Sequence, residues 1–165
     1  GCQGIFCKMI EQEYLKKQLH DILDKTETAN ELFHRIAGVV KACIPYDYLS
    51  LVLIHGQPFL NHVKQMGTTV FISSTEEFER KWIGRSVPLD KLLMAKVVKI
   101  QQTTIFTDHE LKDVGTRLEG KPLRSLMFAP LFNGDIIGTL QFAHSEIGIY
   151  GEQQIELVVE SSVQL

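Results

Sequence analysis

Residues 123–143, LRSLMFAPLFNGDIIGTLQFA, constrain the fold of this chain more than any other stretch. Two apolar runs rich in strand-forming residues flank Asn133-Gly134. Both central residues of a tight hairpin turn need positive φ, and Asn-Gly tolerates it well. The stretch therefore predicts an antiparallel hairpin. An apolar hairpin is marginal alone in water, so further strands or a helix layer must cover it.

The rest of the chain offers both. Residues 9–25 carry Leu15, Leu19, Ile22 and Leu23 at helical spacing, with Glu11, Lys16, Lys17 and Asp21 between them. This predicts an amphipathic helix, packed either on its own domain or, as a short coiled coil, on a second subunit. A second helix starts near Thr28, which stands at capping-box spacing from Glu31. Leu32, Phe33, Ile36, Val39, Val40 and Cys43 form its apolar stripe, and Pro45 ends it. Cys43 on that stripe reads as an inert buried thiol rather than a nucleophile.

Residues 48–54, YLSLVLI, form a near-continuous apolar run that suits a central strand covered on both faces. Residues 59–66 and 68–73 are weaker strand candidates around Gly67, and 74–82 a short helical or irregular excursion. Residues 89–100 predict a helix with Leu89, Leu92, Leu93, Val97 and Ile100 on one side. Residues 103–107 predict a short strand, after which Asp108 caps a short helix of Leu111, Val114 and Leu118. Beyond the hairpin come a loop over 146–151 and a helix over 152–165, with Ile155, Val158, Val159 and Leu165 inward. That helix is expected to run on into another domain. Helices at both ends and strands joined by a hairpin favour an α+β fold, a central antiparallel sheet with helices on one face. Strict βα alternation, which a doubly wound parallel sheet needs, is missing.

The 165 residues suffice for one domain, 26–165, preceded by a linker or dimerisation helix over 1–25. The net charge of −3 argues against a nucleic-acid binder, which would show a basic face. No apolar run has the length of a membrane span. Three cysteines, Cys2, Cys7 and Cys43, do not read as a disulfide framework, and residues 1–7 lack a signal-peptide pattern. A reducing, cytoplasmic setting is expected.

Catalytic and metal-binding patterns are missing as well. The glycines at 115 and 120 lack the spacing of a phosphate loop. Ser125 stands inside a strand, not on a nucleophile elbow. The histidines do not pair at zinc spacing. Asp108, His109 and Glu110 read as a solvated helix start, and His55 and His62, which flank a predicted turn, are a weak metal pair. Neither a metal site nor a catalytic residue is expected.

The helix-to-strand passage LFHRIAGVVKACIPYDYLSLVLI (residues 32–54), the strand TTIFTD (103–108) and the tail from Leu123 together resemble a GAF domain. GAF domains are regulatory modules related in architecture to PAS domains. In the tail, Leu123, Arg124, Ser125, Pro130, Leu131, Gly134, Ile137, Gly138 and Leu140 match the family pattern. The resemblance covers about residues 28–165. It implies terminal helices on one sheet face and a helical or loop segment over the other, enclosing a small-molecule pocket. It also implies a sensory, non-catalytic domain of a larger signalling or transcription-regulating protein.

Alternation along the strands divides their side chains. On the last strand, Leu140 and Phe142 are expected to meet the helices, and Thr139, Gln141 and Ala143 to face the pocket or water. On its partner, Leu126 and Phe128 are expected to meet the helices, with Ser125, Met127 and Ala129 opposite. The pocket candidates are Ser50, Phe71, Phe106, Ser125, Met127 and Gln141, with Arg124 at the rim; each also reads as an ordinary core or surface position. The resemblance further implies what this chain lacks. Bilin-carrying members need a cysteine between Phe106 and Pro122, and there is none. Sulfoxide-reducing members use pocket cysteines, whereas Cys43 falls on a helix. The Asn-Lys-Phe-Asp-Glu pattern of cyclic-nucleotide binders is absent. The expectation is thus an unknown small-molecule ligand, no cofactor, a homodimer through the terminal helices, and neither nucleic acid nor membrane as partner. The alternative is a dimerisation or interaction module with a filled core.

Overall fold

The computed structural model describes residues 29–56, 65–74, 82–107, 117–118 and 121–162. The hairpin is there, as β7 (Ser125–Asn133) and β8 (Asp135–His144), turning at Gly134 with φ +77°. Around it a six-stranded sheet forms from β1 (Tyr48–His55), β2 (Met66–Ser74), β3 (Ser86–Pro88) and β4 (Thr104–Phe106). The strand order is β3-β2-β1-β8-β7-β4, and every neighbouring pair is antiparallel. A separate two-stranded ribbon joins β5 (Arg117–Leu118) to β6 (Lys121–Pro122).

Among the described residues, two helices pack on one face: α1 (Ala29–Cys43) and α3 (Glu152–Ser162). Phe33, Ala37 and Val40 of α1 and Leu157 and Val158 of α3 bury against Leu49, Met127, Ala129 and Phe142. The middle segment packs on the other face. Among the described residues it includes a 3-10 turn, Leu89–Lys91, and the short α2 (Met94–Ile100). Leu89, Met94 and Val97 bury there against Val52, Phe106, Leu126, Phe128 and Ala143. The near-continuous apolar run of β1 follows from this arrangement, since Leu49 serves one core and Val52 the other.

Two breaks in the alternating pattern have distinct physical causes. Gly138 lies opposite Leu53, and a Cβ there would stand 2.4 Å from the Val52 carbonyl oxygen, so only glycine permits this approach of β1 and β8. The register shifts beside it, between Leu131 and Phe132, and leaves Ile137 as the extra residue of a bulge. Pro130 lies beyond Phe128, the last β7 residue that pairs with β4, so the missing amide of proline interrupts no ladder on that side.

One corner ties both helices to the sheet. The Tyr46 hydroxyl donates to the Ala37 carbonyl at 2.8 Å, and the Tyr150 hydroxyl to the Pro45 carbonyl at 2.8 Å. An Asp47 carboxylate oxygen accepts from the Ser145 amide at 2.9 Å and from its hydroxyl at 2.8 Å. Burial raises the pKa of Tyr46, despite the opposing hydrogen bond with Ser73. Burial, then the negative charge of Asp47, raises that of Tyr150 far above the ordinary phenol range.

Three local expectations need correction. Ile100 is exposed at the end of α2, because the helix begins only at Met94 and its inward residues are Met94 and Val97. Leu118 belongs to a strand ribbon rather than a helix. In α3, Val158 is buried as expected, but Leu157, not expected inward, is buried with it, and Ile155 is only partly buried. The predicted helix over 9–25, the Thr28 and Asp108 caps, and Leu165 lie outside the described residues.

Candidate functional site

The middle face of the sheet carries polar side chains in an otherwise apolar core. Three antiparallel pairings place them side by side: Ser50 opposite Gln141, Val52 opposite Thr139, and Phe128 opposite Gln141. Directly opposed residues project from the same face, so Ser50, Thr139 and Gln141 share it with Phe128 and Val52. Ser50 is 1% exposed and Thr139 0%. Met94, also 0% exposed, descends on them from the start of α2.

Hydrogen bonding in this cluster is poor. The Gln141 amide nitrogen donates to Thr139 Oγ1 at 3.0 Å and stands 3.7 Å from the Met94 sulfur. The Thr139 hydroxyl in turn donates to that sulfur at 3.8 Å. A thioether is a weak acceptor, so the final donor of the chain ends on a soft partner. Among the described residues the Ser50 hydroxyl and the Gln141 carbonyl oxygen have no hydrogen-bond partner. Gly67, on β2, lets the middle segment sit this close. A Cβ there would meet Leu92 Cδ1 at 2.8 Å and both Met94 Sδ and Val52 Cγ1 at 3.3 Å.

The sequence-derived candidates divide between the two faces. Ser50, Gln141 and Phe106 belong to the middle face; the Phe106 ring lies 5.0 Å from that of Phe128, with the Lys96 ammonium 5.7 Å from its centroid. Phe71, Ser125 and Met127 belong to the helix face. Phe71 stacks on Phe33 at 5.1 Å, and Met127 is buried in the helix-side core. The Ser125 hydroxyl donates to the Glu146 carbonyl at 2.6 Å and accepts from the Ile149 amide at 3.4 Å, holding the loop before α3. Arg124 is exposed at the approach to β7, its amide bonded to the His144 carbonyl at 3.0 Å. The facing expected for β8 agrees with the structure. That of β7 is reversed: Leu126 and Phe128 face the middle segment, and Ser125, Met127 and Ala129 the helices, because Met127 pairs with Phe142 and Phe128 with Gln141.

Thr139 and Met94 were not among the candidates. Alternation already groups Thr139 with Gln141, a signal sufficient to find it. Met94 lies within the apolar run LLMAKVV and carries no such signal.

Elsewhere, His55 Nε2 lies 2.6 Å from Thr68 Oγ1, which is 2.5 Å from Ser86 Oγ, an exposed chain across β1, β2 and β3. Among the described residues no carboxylate contacts His55, and no group of three metal-ligating side chains exists. His62 lies outside them. No helix among the described residues is long and apolar enough to cross a membrane.

No family model and no curated protein matches the sequence. Solved structures do match. The GAF domain of an Acinetobacter phosphoenolpyruvate-protein phosphotransferase superposes with a TM-score of 0.69 at 12% identity, covering 94% of this chain and 92% of that one. The phycocyanobilin-bound GAF domain of a cyanobacterial phytochrome gives 0.68 at 17% identity, covering 93% and 90%. A free methionine-R-sulfoxide reductase from Neisseria meningitidis, in complex with its substrate, gives 0.66 at 14% identity, covering 99% and 93%. The same fold thus occurs in a bilin-bound phytochrome domain and in an enzyme, and its antiparallel sheet between terminal helices and a middle segment is the one found here: this chain folds as a GAF domain.

Proposed function

We infer that this domain is a non-catalytic, small-molecule-sensing module of a larger cytoplasmic signal-transduction or transcription-regulatory protein. The observation that carries this reading is the under-satisfied polar cluster on the middle face, in which Ser50 and Thr139 are buried and Gln141 is half-buried. Buried polar groups without good partners are rare in folded proteins and call for an explanation, and a missing ligand is one. The solved relatives named above as ligand or substrate complexes lend the fold-level analogy. A non-catalytic role is supported by the position of Cys43, the one cysteine among the described residues. It packs against the helix-side core, with the sheet between it and the polar cluster.

A ligand favoured in one packing of the middle segment would shift the population toward that packing, and α1 and α3 would carry the change outward. A thermal-shift screen against metabolites, with native mass spectrometry for a retained compound, identifies binders. Spin labels at Arg35 and Gln153, with the native cysteines replaced by serine, then report the distance between α1 and α3. A distance that moves on binding supports the mechanism; an unchanged distance with metabolite bound overturns it.

The complete burial of Met94 favours a second reading, a homodimerisation module with a filled core. Its interface would be the terminal helices. Deleting residues 1–25 should then convert a dimer to a monomer in sedimentation, and a surviving dimer would rule out that helix as the interface.

A further inference from the structure

We propose that the middle face is a self-plugged recognition site for a neutral ligand with an amide-like edge, and that the Met94 side chain is the plug. The proposal rests on the sensing reading above and adds the ligand class and the residue that gates it.

The ligand class follows from the hydrogen-bonding inventory. The Thr139 hydroxyl and the Gln141 amide nitrogen direct donors toward the Met94 sulfur, at 3.8 and 3.7 Å. An oxygen acceptor in that place would make stronger bonds to both. The Gln141 carbonyl oxygen, beside the donating nitrogen, offers an acceptor without a partner among the described residues. A carboxamide that presents a donor and an acceptor side by side is complementary to another amide edge, a carbonyl next to an N–H. The Ser50 hydroxyl, opposite Gln141 and 1% exposed, supplies a second adaptable group. No side chain of the cluster carries a charge, so an anion would enter without compensation.

The gating role follows from packing. Met94 is the first residue of α2, a helix of seven residues. Helices this short owe their stability to packing rather than to intrinsic propensity. Its N-cap, Leu93, makes no side-chain capping bond. Methionine is unbranched and repacks readily. Its thioether therefore fills the site while satisfying the donors weakly, and an amide oxygen can displace it. Binding to the wild-type protein is weakened by the fraction of time the plug is in place.

Titration with δ-valerolactam, a neutral cyclic amide, tests this by NMR of ¹³C-methyl-methionine-labelled protein, the Met94 resonance being assigned by its loss in M94L. The expected result is a selective shift of the Met94 methyl in the wild type. M94A should bind the lactam roughly tenfold more tightly, the plug being gone. T139V in that background should remove the gain. Cyclohexanone, an acceptor without an N–H, should bind more weakly than the lactam, and cyclohexanecarboxylate not at all. An unmoved Met94 methyl at saturating lactam overturns the proposal in the wild type, even where M94A fails to fold. Equal binding of lactam and cyclohexane by M94A, indifferent to T139V, overturns it too, by exposing a dry cavity made by truncation. The two readings fail separately. Lactam binding with no change in the distance between α1 and α3 removes sensing and keeps the site. A metabolite that moves that distance while the lactam leaves Met94 undisturbed keeps sensing and removes the amide chemistry.

Discussion

The two faces of the sheet are built from the same strands yet treat their polar groups in opposite ways. On the helix face, the hydroxyls of Tyr46, Tyr150 and Ser125 each donate to a backbone carbonyl at 2.8 Å or less. On the middle face, the Thr139 hydroxyl donates to a sulfur at 3.8 Å, and that of Ser50 has no partner among the described residues. The first is an interface finished by folding. The second is one whose polar groups are under-satisfied by the fold itself. Under the sensing role proposed above, the first layer would carry a change outward and the second would respond to the ligand.

The contrast can be broken at its strongest point first. Phe142 is 1% exposed and touches both Tyr46 and Tyr150 by ring edges. Phe142→Ala should cost about 3–5 kcal/mol by urea denaturation, losing most of the helix-face core. Gly67→Ala acts on the middle face alone. Its Cβ must push aside Leu92 and press on Met94. The expected cost is about 1–3 kcal/mol, with hydrogen exchange accelerated in α2 but not in α1 or α3.

Tyr150→Phe should cost roughly 1–2 kcal/mol, because the Pro45 carbonyl loses its donor. It also carries a pH signature. The Tyr150 pKa is raised in the folded state, so the native protein holds this proton more firmly than the unfolded chain does. The contribution is fully present below the unfolded phenol value of 10.0 and is lost as pH rises beyond it. The wild type should therefore lose stability in melts taken from roughly pH 9 to roughly pH 11, and Tyr150→Phe should lose less.

The smallest effect discriminates best. Ser50→Ala should be neutral or stabilising, by up to about 1 kcal/mol, since it removes a buried hydroxyl that has no partner. A loss of stability instead would mean that Ser50 is already satisfied, and the difference between the faces would shrink to Thr139 alone.

Much of this was legible in the sequence. The hairpin turn at Gly134, the double burial of β1 and the end of α1 before Pro45 each rest on local chemistry that the residues state directly, although of the two turn residues only Gly134 takes positive φ. The facing of β7 was not read correctly, because the bulge beside the turn decides it. Asn133 pairs with Asp135 across Gly134, and skipping Ile137 then pairs even positions of β7 with odd positions of β8, Phe128 with Gln141 and Leu126 with Ala143. Polarity suggested the reverse, because Ser125 looked like a pocket hydroxyl, whereas its partners lie in a loop some twenty residues later in the chain. Phe71 misled for a related reason. The irregular register between Leu51 and Val52 sets which face each β2 residue takes, and no local pattern announces it. Met94 could not be singled out, since its role depends on a contact between α2 and β8 that only the fold creates.

The corner where Tyr150 meets Pro45 and Asp47 meets Ser145 has a mechanical consequence. One helix ends and the other begins there, on either side of the same set of hydrogen bonds. The corner is a shared fulcrum. A torque applied to α1 or to α3 loads the same joint, so the two levers turn on a single point, and neither swings without straining the hold of the other.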